Sequence, residues 1–536
     1  MKIIKFKKEA KRELKKGVDV VGNAIKISIG PRGRNVVVDS GFSGPKVTND
    51  GGDISRAIIL KDPIQNIGGN LIKEVAQKTN DTAGDGRKTT VVLYQNIVEQ
   101  GMKKIFKKRI NATGVRSGIE KASGIAIKYL ESITKQINNN EEIKQIATIS
   151  SKSEEIGTVI ADTMEKLGKE SIISVEEANT VGISTNVTVG MQFDRGYISP
   201  YMRTDMERNK AELKDVLVFI TDIKLSVVSD FLPLLEKVME AGKRELVIIA
   251  EDIVSEALQT MIINKLRGGL TVLGIKNPGF GERKKDYLED IATVLGAKVF
   301  SKDTGLNIEQ VGLEDLGFAK KIVSDKDKTT IVGGKGTKEE IDARINNIKN
   351  ELEKLDSKHD ILKVKERLAR LSGGVAVISV GAATETETNY LKLKTEDAVN
   401  AVQASIESGI LPGGGTALVR ASKAVLKAKK EGLYTSDELI GFDVLAKAME
   451  APLKCIAMNC GLGDGSSVLK KVKKQNINGG FDALNNVYVD DMIKSGIIDP
   501  MKVEKMSILN AASGAGMLIT TEVAIAEETK PTQPGV

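Results

Sequence analysis

Glycine-rich turns of the kind that approach a ligand closely lie near both ends of this 536-residue sequence, and no comparable turn lies in its middle. The first runs Ser28-Ile29-Gly30-Pro31-Arg32-Gly33-Arg34-Asn35, a helix end turning into a strand. The second, Ala83-Gly84-Asp85-Gly86-Arg87-Lys88-Thr89-Thr90, opens a helix. The third, Pro412-Gly413-Gly414-Gly415, also precedes one. The fourth runs from Asp482-Ala483-Leu484 to Asp499 and reads as two acids bracketing a helix. A turn that opens a helix offers backbone N–H groups and a positive helix end to phosphate. Asp85 in such a turn is a candidate Mg²⁺ ligand. Neither GDGRKTT nor GGG is specific alone, since the first misses the P-loop spacing and the second is usually a tight turn. Together they imply one nucleotide-binding domain built from both chain ends, with another domain inserted between them.

The pattern of apolar residues agrees. Residues 11–29 carry Leu14, Val18, Val21, Ala24 and Ile25 at helical spacing, and 66–79 and 89–101 read as further helices. A short β run at 35–39 interrupts them, and helices recur at 396–408, 415–430, 441–458 and 502–516. The middle differs. Apolar or β-branched runs at 216–220, 246–250, 271–275 and 298–301 alternate with helical stretches at 228–242, 254–267 and 282–296, the signature of a parallel sheet with crossover helices. Residues 338–370 read as a helical hairpin with Ile341, Ile345, Ile348, Leu352 and Leu355 along one stripe.

Composition removes several chemistries. Two cysteines, Cys455 and Cys460, and one histidine, His359, cannot supply a disulfide framework or a Cys/His zinc site. A histidine-dependent nucleophile would need His359, which sits in the charged run SKHDILKVKER and reads as solvated helix surface. Catalysis is left to carboxylate, lysine or bound-metal chemistry. The net charge is +7, but residues 1–16 hold eight Lys/Arg and two Asp/Glu, so +6 of it is N-terminal and nucleic acid is not an expected partner. The absence of Trp argues the same way. No signal peptide or membrane span is legible, so a cytoplasmic location is expected.

Two further acids are candidates for chemistry. Asp50 lies in the glycine-flanked turn VTNDGG, beside Asn49, and Asp397 in TEDA reads as a helix start just upstream of the triple glycine. Beside a nucleotide, Asp397 is a candidate general base for an attacking water. In the middle region, Leu258, Met261, Ile262, Ile263 and Leu266 spread over ~200° of one helix, wider than one-sided packing needs. Phe231, Leu232, Leu234, Leu235, Val238 and Met239 are similarly broad, and GYISPYM adds Tyr197, Tyr201 and Met202. These faces are either buried on two sides or an exposed apolar surface for partners.

The motifs KISIGPRGRNVV, VTNDG, NDTAGDG, GMQFDRGYISPYM, IIAEDI, NPGFGERK, LEDIATVLG, GGVAVISVGAATETE, EDAVNA, PGGGTAL, AMEAPLKCIAMNCG, GIIDPMKV and ITTE run in order along nearly the whole chain. They resemble those of the GroEL-type (group I) chaperonins. The resemblance implies a multidomain α+β and α/β fold. Residues 1–132 and 408–523 would form a mainly helical equatorial ATP-binding domain, 133–189 and 376–407 a small α/β intermediate domain, 190–375 an inserted α/β apical domain, and 524–536 a disordered tail. It further implies seven-membered homo-oligomeric rings, normally paired as a double ring of 14. ATP and Mg²⁺ would be cofactors, and non-native polypeptides and a GroES-type co-chaperonin lid would be partners. By the same resemblance Ser28, Ile29, Gly30, Pro31, Asp85, Gly86, Thr89, Gly414, Ala483, Leu484 and Asp499 would contact nucleotide, with Asp85 on Mg²⁺. Asp397 would be the hydrolytic acid and Asp50 a second acid near the γ-phosphate. Tyr197, Tyr201, Met202, Leu232, Leu235, Leu258, Ile262 and Ile263 would hold substrate and lid, and Arg195 and Glu385 would pair between neighbouring subunits.

Four departures from that pattern bear on chemistry. Arg87 and Lys88 stand where threonines are usual, Asn49 replaces a lysine, and Asp482 replaces a nucleotide-contacting asparagine. A Gly-Gly-Met-rich tail is also missing. The family commonly uses K⁺ beside the phosphates, so Lys88, a tethered point charge, is expected to replace it. An alternative reading is a ring that binds polypeptide, as a holdase or scaffold, with ATP turnover impaired.

Overall fold

The computed structural model describes residues 2–39, 45–107, 110–137, 139–151, 153–168, 171–178, 180–206, 208–279, 284–301, 311–353 and 357–527. Of the expected disordered tail 524–536, residues 524–527 belong instead to a strand, Val523–Glu527, and the rest lies outside the described residues, as do Leu355 and the side chain of His359. The chain divides into two compact units, one of 1–161 with 393–536 and one of 162–392. A unit built from both chain ends around an insertion is the organisation that the glycine turns imply.

The first unit is helical. Helices Lys7–Lys26, Pro63–Ala83, Arg87–Lys107 and Ala112–Ile133 pack with Thr416–Glu431, Ser436–Ala448 and Met501–Thr520. Their shared core draws Leu14, Val18, Ile25, Tyr94 and Ile119 from one chain end and Leu418, Phe442, Leu445, Ile508 and Leu518 from the other. Each such side chain contributes about 1.5–3 kcal/mol on burial. The ends are also tied as strands, Lys2–Phe6 pairing antiparallel with Val523–Glu527. A second antiparallel ribbon pairs Val36–Asp39 with Pro45–Thr48, its Val36 packed against the core.

The second unit carries a seven-stranded sheet. Thr271–Lys276, Glu245–Ala250 and Ala211–Thr221 run parallel, as the alternating helices and strands require. The other half is antiparallel: Gly317–Ser324 pairs with both Ala211–Thr221 and Thr329–Gly334, and the latter with Gly190–Phe193. The sequence pattern missed this half. A short turn joins Gly317–Ser324 to Thr329–Gly334, and such a link permits only an antiparallel pair. A separate three-stranded sheet gathers Ile172–Glu177, Gly182–Thr188 and Val375–Gly381 from two distant parts of the chain. Helices Lys338–Leu352 and Lys358–Ser372 form the expected hairpin, with Ile341 and Ile348 buried.

Candidate functional site

Inside the first unit the glycine turns converge. After helix Lys7–Lys26, Ser28 Oγ donates to Ile25 O at 2.8 Å and closes the last turn. From the other chain end, Asn459 Nδ2 donates to Lys26 O at 3.1 Å and Ile29 O at 2.9 Å. Ser28 and Ile29 are buried, while Pro31 is exposed. Arg32 Nη2 donates to Leu484 O at 2.7 Å, joining the first segment to the fourth.

The second turn is locked between two helices. A Cβ on Gly84 would stand 2.7 Å from Asn400 Cβ, so this turn rests directly on helix Glu385–Ser408. Gly86 has φ +97°, and a Cβ there would meet Ser507 Oγ of helix Met501–Thr520 at 2.9 Å. Only glycine combines that backbone with that clearance. Asp85 between them is exposed, its Oδ1 accepting the Gly86 N–H at 2.6 Å. In the third turn, Gly414 has φ +65°, and a Cβ there would stand a tight 3.3 Å from Met492 Cε.

Asp397 lies in the middle of helix Glu385–Ser408, which corrects the expectation of a helix start. The helix extends back through ETETNYLKLK, where Thr, Glu and Lys hide the apolar period. A first-turn acid favoured by the helix dipole is therefore excluded. Burial, with the charges of Asp85 and Asp50 added, pushes its carboxyl up to about 7, while Lys394 and Arg87 pull the other way. Asp50 is half-buried; it caps helix Gly51–Ala57 by accepting the Asp53 N–H at 2.8 Å and faces Arg87 Nη1 at 3.9 Å. Arg87 Nε is buried without a hydrogen-bond partner among the described residues. Lys88 Nζ donates to Ser28 O at 3.2 Å, so a cation already sits on a carbonyl of the first turn. Thr89, the next residue of the helix, and Asn49, next to Asp50, are half-buried.

The fourth segment also differs from expectation. No helix separates Asp482 from Asp499. Instead Gly480–Asp482 pairs with Val487–Val489, and turns lead to the strand Ile498–Pro500. Asp482 is engaged in its own turn, accepting N–H groups of Leu484 and Asn485 at 2.9 and 3.1 Å. Ala483 is buried, its carbonyl accepting from Cys460 Sγ at 3.3 Å, while Leu484 is exposed. Asp499 is half-buried and accepts from the N–H groups of Gly415 and Gly414. Burial and the charge of Asp85 push it up to about 6. Its other partner is Glu504, a residue that sequence reasoning missed; PMKVE reads as an ordinary first helical turn, where an acid needs no further account.

These residues fit a magnesium nucleotide. Among the described residues no three Asp, Glu, His or Cys side chains converge as a metal site. Mg²⁺ carried by a nucleotide needs only one or two carboxylates, the remaining ligands being phosphate oxygens and water. Exposed Asp85 meets that requirement.

In the second unit the apolar candidates divide. Tyr201, Leu232 and Ile263 are exposed, at 62%, 43% and 46%. Tyr197 and Leu258 are partly buried against the core, and Ile262 is half-buried. Met202 and Leu235, at 2% and 6%, are core residues and not surface. Helix Leu232–Glu240 turns Leu234, Leu235 and Val238 inward and leaves Leu232 and Met239 exposed. Met202 lies under the turn Pro200–Met202, its sulfur accepting the Gly274 N–H of the sheet at 3.3 Å.

The model of the TCP-1/cpn60 chaperonin family matches residues 21–529. Among solved structures, the chaperonin gp146 from bacteriophage EL 2 (Pseudomonas aeruginosa), crystallised in the presence of ATP-BeFx, is similar with a TM-score of 0.68 at 20% identity. That similarity covers 98% of this chain and 100% of gp146, and it speaks to the fold.

Proposed function

The chain belongs to the TCP-1/cpn60 chaperonin family, and from that premise we propose that it is an ATP-driven folding machine of the group I kind. The observation that carries the proposal is the set of acids around the second glycine turn, in which Asp397 is held near neutrality beside Asp85 and Asp50. A base whose pKa lies near the working pH is the one best suited to move a proton. In this reading Asp397 takes the proton of the attacking water and Asp50 stands near the γ-phosphate. Ser28, Ile29, Gly30, Pro31, Gly86, Thr89 and Gly414 carry the nucleotide. Mg²⁺, held by Asp85, would neutralise phosphate charge. Lys88, resting on the Ser28 carbonyl, takes the place of K⁺.

Residues 1–132 and 408–523 are the equatorial domain, 133–189 and 376–407 the intermediate domain and 190–375 the apical domain. The apical surface around Tyr201, Leu232 and Ile263 binds non-native polypeptide and exchanges it for a GroES-type lid. Assembly into rings is supported by two ribbons that pair with no further strand among the described residues and carry exposed apolar residues: Ile4, Phe6 and Ile525 on one, Val37 and Val47 on the other. Exposed Glu385 would pair with Arg195 of a neighbouring copy. The second reading, a holdase ring without useful turnover, is favoured by the Arg87–Asp50 contact, which places a fixed cation on the phosphate side. An ATPase assay on the purified oligomer separates the two. Mg²⁺-dependent turnover supports the first reading; nucleotide-independent capture without turnover supports the second.

A further inference from the structure

Exposed apolar residues of the second unit come from two separate elements that lie against each other. Tyr201 stands on the short turn Pro200–Met202, and Ile263 and Leu266 on helix Ser255–Leu266, with Leu266 71% exposed. Lys265 ties the two together. Its Nζ donates to Tyr201 O at 3.0 Å and to Arg203 O, the carbonyls on either side of Met202. A lysine in the last turn of a helix ordinarily answers the negative end of the helix dipole. Here backbone groups already serve that end: the N–H groups of Arg267, Gly269 and Gly268 reach Ile263 O, Asn264 O and Lys265 O, each at 3.0 Å. The ammonium crosses to the turn instead. Leu258, Ile262 and Lys265 recur at four- and three-residue spacing as one half-buried stripe of the helix, while Ile263 and Leu266 form the neighbouring exposed one.

The start of the turn is fixed to the sheet, Ile198 N–H donating to Gly274 O at 2.9 Å and the Met202 sulfur accepting from Gly274 N–H at 3.3 Å. Beyond Met202 the chain closes on itself, the N–H groups of Thr204 and Asp205 donating to Lys210 O at 3.1 and 2.9 Å. Lys265 grips the backbone between these two anchorages. Partial burial, with the charge of Arg203 added, holds its ammonium below the ordinary lysine range. Lost hydration therefore offsets much of what the two hydrogen bonds contribute to stability, and what they supply is position. We propose that Lys265 is a positioning residue that latches the turn bearing Tyr201 to helix Ser255–Leu266, so that a client meets Tyr201, Ile263 and Leu266 as one preset surface. This rests on the polypeptide-binding reading above. A surface already ordered spares the cost of immobilising a mobile turn on binding.

The test uses the full-length oligomer, a labelled and chemically unfolded protein as probe, and Lys265→Met, which keeps an apolar stem and removes the donors. Melting of the second unit should stay within about 2 °C of wild type, since the freed carbonyls pass to water. Amide hydrogen exchange over residues 200–206, measured without client, should quicken about tenfold or more. Capture should weaken about 2–10-fold. Tyr201→Ala should weaken capture less in the methionine background than in wild type, a loss of coupling that general destabilisation does not produce. Weakened capture with unchanged exchange would make Lys265 a direct client contact and overturn the latch. Faster exchange with wild-type capture, or an undiminished effect of Tyr201→Ala, would overturn its service to binding. A wild type in which 200–206 exchange as fast as an unstructured peptide overturns the latch whether or not the variant assembles. A wild type that captures no unfolded protein overturns the polypeptide-binding reading itself, and the role of Lys265 with it.

Discussion

Replacing Asp397 by Asn should make the protein more stable and nearly inactive at once. The unfolded carboxyl titrates near 3.8 and the folded one at about 7, so the native state holds this proton more tightly than the unfolded chain does. As pH rises from about 4 to about 7, wild type therefore loses stability relative to a variant that cannot ionise, and above 7 the difference stays constant. Three pH units at about 1.36 kcal/mol each set a ceiling of about 4 kcal/mol. Solvent reaching the half-open side chain lowers the realised part to about 1–2 kcal/mol. Urea denaturation without nucleotide or Mg²⁺, run from pH 5 to 8.5, should show Asp397→Asn unfolding at progressively higher urea than wild type, with the gap levelling above pH 7. Loss of the base should lower single-turnover ATP hydrolysis by about 10²–10⁴-fold while leaving ATP binding within a few fold. Equal midpoints at pH 8 would refute the desolvated carboxyl, and hydrolysis within a few fold of wild type would refute its role as base.

The other outcomes concern the remaining candidates. Leu235→Ser, in the core, should cost the second unit about 2–5 kcal/mol and lower its melting temperature, whereas Ile263→Ser and Tyr201→Ser should weaken capture of an unfolded protein without moving that transition. Similar melting of all three would contradict the division into core and surface. ATPase activity should be nearly equal in sodium and potassium, and Lys88→Thr with Asn49→Lys should restore potassium dependence. A wild type inactive in sodium and strongly activated by potassium excludes Lys88 from that role. Asp85→Ala should abolish the Mg²⁺ dependence of nucleotide binding, read by titrating Mg²⁺ at fixed ATP; an unchanged titration removes Asp85 as the ligand.

Much of this architecture is legible in the sequence because its signals are local. Glycines that need positive φ, such as Gly86 and Gly414, mark the turns whichever elements pack on them. Their restriction to both chain ends gives the discontinuous unit. The features that escaped depend on tertiary neighbours. Asp397 reads as a helix start because ETETNYLKLK lacks an apolar stripe, yet packing carries the helix back to Glu385. The antiparallel strands Gly317–Ser324 and Thr329–Gly334 are rich in Lys, Thr and Gly, and no apolar run announces them. Leu235 and Met202 cannot be told from surface anchors by spacing, because each stands in one apolar run with an exposed residue, Leu232 and Tyr201 respectively. Glu504 is invisible to spacing altogether, since its neighbour Asp499 comes from a strand that the fold brings beside it.

The central claim is that nucleotide chemistry in one unit drives polypeptide release from the other, and one measurement addresses it. A fluorescently labelled, chemically unfolded protein is loaded onto the purified oligomer, and its release is followed after adding Mg²⁺-ATP to wild type and to Asp397→Ala. Wild type should release the client repeatedly as ATP is hydrolysed, while the variant should complete no more than a single round. Release that is independent of ATP, or equal in the two proteins over many rounds, would contradict the account.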